Sequence, residues 1–90
     1  MYDISEIAGI MASINNADDM TAFLNEILTD NEKRDLGLRW KLMEQLYEGK
    51  TQRAISSDLG ISLCRITRGA RILRSGDSMV EKILRERAGR

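Results

Sequence analysis

Thr51-Gln52-Arg53-Ala54-Ile55-Ser56-Ser57-Asp58-Leu59-Gly60-Ile61-Ser62-Leu63-Cys64-Arg65-Ile66-Thr67-Arg68-Gly69 reads as two short helices around a tight turn. Thr51 is a candidate N-cap, and Ile55 and Leu59 lie one turn apart on a single helical face. Gly60 stands where a helix must stop, because glycine takes up the left-handed C-terminal conformation without steric cost. Ile61 then fills the angle between the helices and Ser62 caps the second one. Ile66 faces back towards Ile55 and Leu59, with Leu63 a further candidate for that side. Small Ser56 lies four residues before Gly60, where two crossing helices approach and a large side chain would hold them apart. Counted from Gln52, apolar residues fall fourth, eighth, tenth and fifteenth, with the glycine ninth. That is the helix-turn-helix pattern, whose second helix enters the DNA major groove. A generic helical hairpin also has a glycine corner, but it does not usually meet all these positions and then load its second helix with arginine.

The composition frames that motif. The chain has 90 residues, enough for one domain at most and for a modest core, so help from a second copy is expected. Proline is absent, aromatic residues make up 4%, and Leu, Ile, Met and Ala dominate the apolar set, which predicts an all-α protein. The single Cys64 excludes an intrachain disulfide and fits a reducing compartment. No apolar run approaches the roughly 18 residues of a membrane span. The acidic start Met1-Tyr2-Asp3-Ile4-Ser5-Glu6 lacks the regions of a signal peptide. A cytoplasmic protein without membrane attachment is the expectation.

The formal net charge is zero, which taken alone argues against nucleic acid. Its distribution argues the other way. Residues 1–49 carry four basic against ten acidic side chains, a net of −6, and residues 50–90 carry ten basic against four acidic, a net of +6. Such polarity is expected if one end meets phosphate and the other does not.

Outside the motif the pattern stays helical. Ile4, Ile7, Ala8, Met11 and Ile14 recur at helical spacing, Asn15-Asn16 reads as a turn, and Asn16 or Asp18 can cap a second helix with the face Met20, Phe23, Leu24, Ile27 and Leu28. These two helices, over residues 1–28, carry few groups suited to chemistry and read as apolar faces seeking a partner. Thr29-Asp30-Asn31-Glu32 fits a capping box for a long helix that runs to Glu48 and ends at Gly49. Leu36, Trp40, Met43, Leu46 and Tyr47 fall on one side of it. Gly37 inside that helix is unusual, and predicts either an irregular turn or another backbone packed close. Ser75-Gly76-Asp77 breaks the chain after the motif, and residues 77–90 form a last helix with Met79, Val80, Ile83 and Leu84, and with Arg85, Arg87 and Arg90 fraying at its end. The prediction is a small all-α domain over residues 1–90, of about six helices, with the helix-turn-helix at 51–74.

Catalysis is the weakest class. The chain has no His, Cys64 has no histidine base, no glycine loop precedes Lys with Ser or Thr, and no metal-ligand cluster is visible. No enzyme, metal or obligate cofactor is expected. Cys64 reads as a small packing or groove residue.

Several segments together resemble the tryptophan repressor family: Leu28-Thr29-Asp30-Asn31-Glu32, Leu36-Gly37-Leu38-Arg39, Gly49 through Gln52-Arg53, and above all Ile66-Thr67-Arg68-Gly69 followed by Leu73. The match covers about residues 26–74, with only helical pattern outside it. The resemblance implies a transcriptional repressor that binds a near-palindromic double-stranded DNA operator. It also implies an intertwined homodimer, with two reading heads roughly 34 Å apart. In the family an amino-acid corepressor, L-tryptophan, fixes the heads at that separation, which it can do only by binding the DNA-competent arrangement more tightly.

Residue by residue, the resemblance places Arg39 and Arg68 on either side of an indole ring, Arg39 coming from the other subunit. Thr29 and Gly69 line the same pocket, and the carbonyls of Glu26 and Leu28 face the ligand's ammonium. Two pocket positions depart: Arg65 stands where a small hydroxyl residue is usual, and Ile72 replaces a serine that holds the amino group. One residue is also missing between Gly49 and Gln52. For DNA, Gln52 and Arg53 fall near phosphate and the groove edge. Ile61, Leu63, Cys64 and Thr67 match groove-facing positions, Arg74 matches a phosphate contact, and Arg65 and Arg68 are further candidates. Arg65, Arg68, Arg71 and Arg74 recur every third residue, so the row drifts round the helix and not all four can face the groove. The alternatives are a helical dimerisation or antitoxin-type protein whose motif is structural, or an operator binder that answers to another ligand or to none.

Overall fold

The computed structural model describes residues 3–89, and these form helices and no strand. In chain order they are α1 (Ile4–Ser13), α2 (Ala17–Ile27), α3 (Asp30–Tyr47), α4 (Gln52–Leu59), α5 (Leu63–Leu73) and α6 (Met79–Ala88). The all-α expectation holds. Met1, Tyr2 and Arg90, on which the reading of the acidic start and of the terminal arginine partly rests, lie outside the described residues. The chain divides into two compact bodies, the first ending at Asp35 and the second beginning at Leu36, so the division falls inside α3.

The first body is built by caps. Asp3 accepts from the Ser5 backbone N–H at 2.9 Å and from the Ser5 hydroxyl at 2.9 Å, and starts α1. Those bonds, the backbone one first, hold the Asp3 carboxyl below its ordinary pKa. Of the two candidate caps for α2 it is Asn16 that acts, accepting from the Asp19 N–H at 2.8 Å. The capping box closes as predicted: the Thr29 N–H donates to Glu32 Oε1 at 2.8 Å, and the Glu32 N–H to Thr29 Oγ1 at 3.2 Å. Lys33 ties the first turn of α3 back to α2 by donating to Asn25 Oδ1 at 3.1 Å. Neither α1 nor α2 contains a buried residue.

The second body has a core. Ile55 and Ile66 are wholly enclosed, Leu42 and Ile61 are buried with them, and Leu46 and Leu59 pack against the cluster. Each predicted device of the turn is present. Thr51 accepts from the Ala54 N–H at 3.1 Å, and Gly60 has φ +66° in the left-handed region. Ser62 accepts from the Arg65 N–H at 3.3 Å. Ser56 does more than keep the crossing open, because its hydroxyl donates to the Ile61 carbonyl at 2.8 Å and closes the corner. Gln45 Nε2 donates to Asp58 Oδ2 at 2.7 Å and ties α4 to α3, while Gln45 Oε1 is buried without a partner.

Four expectations are corrected. The buried residues of α3 are Leu42 and Gln45; of the stripe Leu36, Trp40, Met43, Leu46 and Tyr47 only Leu46 packs against the core cluster, Trp40 and Met43 are half-buried, and Leu36 and Tyr47 are exposed. Gly37 sits in an unbroken helix, and a Cβ there would meet no atom within 4 Å, so neither an irregular turn nor a close backbone in this chain explains it. Leu63 is 56% exposed and does not join Ile66. Helix α6 continues to Ala88, so Arg85 and Arg87 are helical, and Arg85 is held by Glu81 at 3.3 Å. Ser78 caps that helix and Leu84 is its buried residue, beside the C-terminal turns of α3.

Candidate functional site

Helix α5 presents two faces, and the residues singled out in the sequence divide between them. One face is set by Ile66 and Gly69, both buried. Gly69 is where α5 meets α3: a Cβ there would come to 3.0 Å from Leu46 Cδ1 and 3.3 Å from Leu42 Cδ2. The opposite face holds Leu63, Cys64 and Thr67, all exposed, at positions i, i+1 and i+4 at the start of the helix. The Thr67 hydroxyl donates to the Leu63 carbonyl at 2.9 Å, which leaves its methyl and oxygen lone pairs on the surface. Gln52 and Arg53 are exposed in the first turn of α4. An exposed N-terminal end on a second helix, held at a fixed angle by a glycine corner, is the geometry that inserts into a major groove.

Ile61 departs from the expected role. Its side chain is 9% exposed and belongs to the core, so it is withdrawn from any groove. The physical reason is the corner itself: the residue after Gly60 must plug the angle between α4 and α5. Arg74 donates from Nε to the Ala70 carbonyl at 3.3 Å, which draws its stem along the end of α5 and satisfies a last-turn carbonyl. Arg71 is exposed on the same helix.

Between α3 and α5 lies a cavity of about 280 Å³. Leu38, Arg39, Leu42 and Met43 line it from α3, Ile61 from the corner, and Arg65, Arg68, Gly69 and Ile72 from α5. Arg39, Arg68, Gly69 and Ile72 were expected at a ligand pocket, and one chain brings them together. Arg39 was expected from the other subunit; within one chain Arg39 and Arg68 line the same cavity, where α3 packs on α5 at Gly69. Arg65, exposed at the start of α5, also lines the cavity. Glu26, Leu28 and Thr29 belong to the first body, at the end of α2 and the start of α3.

Leu38, Leu42 and Met43 escaped the sequence reading as cavity residues. The signal was there: Leu42 and Met43 stand three and four residues after Arg39, hence on its face of the helix. Among the described residues no group of three or more His, Cys, Asp or Glu side chains is placed to hold a metal ion. No described helix is long and apolar enough to cross a membrane.

Comparison with known proteins extends the resemblance along the chain. Residues 3–88 match the family described as Trp repressor protein. A Trp operon repressor homolog of Xylella fastidiosa (strain M23) is 35% identical over 79 residues, covering 87% of this chain and 84% of that protein. A Trp operon repressor homolog of Chlamydia trachomatis serovar L2 is 33% identical over 60 residues, covering 66% of this chain and 64% of that protein. No solved structure gives a significant match.

Proposed function

The chain belongs to the Trp repressor family, whose members are helical, non-enzymatic DNA-binding regulators, and from that premise we propose that it represses transcription as an operator-bound homodimer under the control of a small aromatic ligand. The observation that carries this reading is the sharing of α5 between two jobs. Its outer face offers Leu63, Cys64 and Thr67 to a groove, and its inner face walls the cavity with Arg65, Arg68 and Gly69. A ligand that fills the cavity acts on the packing of α5 against α3, and hence on the attitude of the reading face. The volume, about 280 Å³, sits at the low end of small-molecule sites, which favours a ligand the size of an amino acid over a larger cofactor. L-tryptophan, suggested by the family, is the first candidate, with its ring between the guanidinium planes of Arg39 and Arg68.

Dimerisation is supported by the apolar faces of α1 and α2, in which no residue is fully buried in one chain. A second copy is the occupant the family suggests. Two reading heads then face successive major grooves, and the operator is near-palindromic. Arg53, Arg68 and Arg74 supply phosphate or guanine contacts. The comparison proteins are bacterial, and an operator-binding protein of such a cell works in the cytoplasm.

Selection of bound sites from random duplexes, followed by titration at several salt concentrations, tests the reading. The expected result is a two-fold-related consensus and an affinity that falls steeply with salt as counterions are released. Arg68→Ala is expected to weaken operator binding by about tenfold and to abolish the ligand response together with it. A protein that shows no preference among duplexes, and no salt dependence, would instead be a helical dimerisation module.

A further inference from the structure

Helix α5 opens on side chains that have almost no hydrogen bond to give. Leu63 is 56% exposed and carries no polar side-chain atom. Cys64 beside it is an exposed free thiol, which is a weak donor. Thr67, one turn on from Leu63, is exposed as well, but its O–H is already spent on the Leu63 carbonyl at 2.9 Å. The strong side-chain donors lie around this patch. Gln52 and Arg53 stand in the first turn of α4, and Arg71 and Arg74 come later, in the last turn of α5 and at its cap, all of them exposed. Arg65 and Arg68 line the cavity towards α3.

Base pairs differ in what such a patch can read. Guanine shows two acceptors at its major-groove edge and adenine an acceptor beside a donor, so a side chain that singles out either one needs a hydrogen to donate. Thymine adds a methyl group at C5, which calls for an apolar neighbour instead. The Leu63 side chain, the Cys64 thiol and the Thr67 methyl are such neighbours, and packing them on a methyl group takes apolar surface out of water on both sides. The basic residues around them suit the phosphates that border a groove. We infer that Leu63, Cys64 and Thr67 select the operator through the C5 methyl groups of thymine. The inference rests on the reading of α5 as the helix that enters the groove.

Site selection with the purified full chain first supplies a bound duplex, and each thymine of that duplex is then replaced in turn by deoxyuridine. The exchange removes the methyl group and leaves the base pairing unchanged. A loss of affinity of about fourfold is expected at one thymine, or at an adjacent pair, in each half-site, with no comparable loss at the other thymines. Cytosine at the same positions is expected to bind weakly. 5-Methylcytosine is expected to recover most of that loss, since it restores the methyl group although its pair presents a different hydrogen-bond pattern. Leu63→Ala, at a position outside the core cluster, is expected to shrink the ratio of thymine to deoxyuridine affinity towards one; should this variant fold poorly, the substituted duplexes with the unaltered protein decide alone. Deoxyuridine tolerated at every position, or 5-methylcytosine no better than cytosine, overturns the inference and leaves α5 a recognition helix of another chemistry. A protein that selects no duplex at the outset overturns both the inference and the reading it rests on.

Discussion

In the second body Ile55 and Ile66 are completely shielded from solvent, whereas in α1 and α2 not one residue is buried and Ile4, Ile10 and Ile27 stand 75%, 45% and 53% exposed. Both regions are helical, well capped and patterned with apolar residues. They differ in what those residues find. Around the corner at Gly60, four elements of one chain (α3, α4, the turn and α5) converge on a single cluster. The side chains of α1 and α2 have the same periodicity without such a convergence. Periodic sequence therefore specifies a helix and its sticky face, but only topology decides whether that face is satisfied within the chain or by another copy.

The largest effect is expected at the centre of the satisfied region. Ile66→Ala removes a fully enclosed side chain and leaves a cavity among Leu42, Ile55 and Ile61. Denaturant unfolding is expected to show a loss of about 3–4 kcal/mol, with operator binding lost because α5 no longer holds its angle. A loss below about 1 kcal/mol would mean that the corner is not the core of the fold.

On the other side of the comparison, Phe23→Ala in α2 is expected to act through association. The change removes a half-buried aromatic from a helix in which no residue is buried within one chain. A loss of about 2 kcal/mol is expected in the dimer, visible as a melting temperature that depends more steeply on protein concentration and as monomer in sedimentation. A concentration-independent loss of the same size would place Phe23 in an intrachain core and erase the distinction between the two regions.

Local devices were legible in the sequence and spatial ones were not. Thr51, Ser62, Asn16 and the Thr29–Glu32 box each act through a neighbour three residues away, so spacing alone determines them. Gly60 is readable for the same reason. The Gln45–Asp58 bond spans thirteen residues and depends on how α4 lies across α3, and nothing in the spacing announces it. The face of α3 was misplaced because Leu36, Trp40, Met43 and Tyr47 form a second apolar stripe, as periodic as the one that is buried. That Arg39 and Arg68 of one chain border the same cavity depends on the approach of α3 and α5 at Gly69, which no spacing in the sequence announces.

Gly60→Ala tests how firmly the corner itself is specified. The residue has φ +66°, a conformation in which an L side chain meets the following carbonyl. A loss of about 1 kcal/mol is expected in thermal unfolding, together with weaker operator binding. Because a Cβ at this position would touch nothing else within 4 Å, the loss is purely conformational, and Gly60→Asn, which tolerates the left-handed region better, is expected to lose less.

Two mid-helix glycines give the finest discrimination, since the same substitution is expected to change stability in opposite directions. In an open helix, alanine is preferred over glycine by about 1 kcal/mol. At Gly69 that gain meets a contact of 3.0 Å to Leu46 and 3.3 Å to Leu42. Leu46 is only partly buried and can give way, but Leu42 belongs to the core cluster and cannot move freely. Overpacking of this kind costs about 1–3 kcal/mol, so Gly69→Ala is expected to be a net loss of about 1 kcal/mol and to reduce the cavity it lines. At Gly37 a Cβ meets nothing in the chain. If that face of α3 is open in the assembled protein, Gly37→Ala raises stability by about 0.5–1 kcal/mol. Calorimetry of the dimer reads the sign directly. A loss at Gly37 would show that atoms of a second copy lie over it, and would move this turn of α3 from the self-contained half of the comparison to the half that waits for a partner.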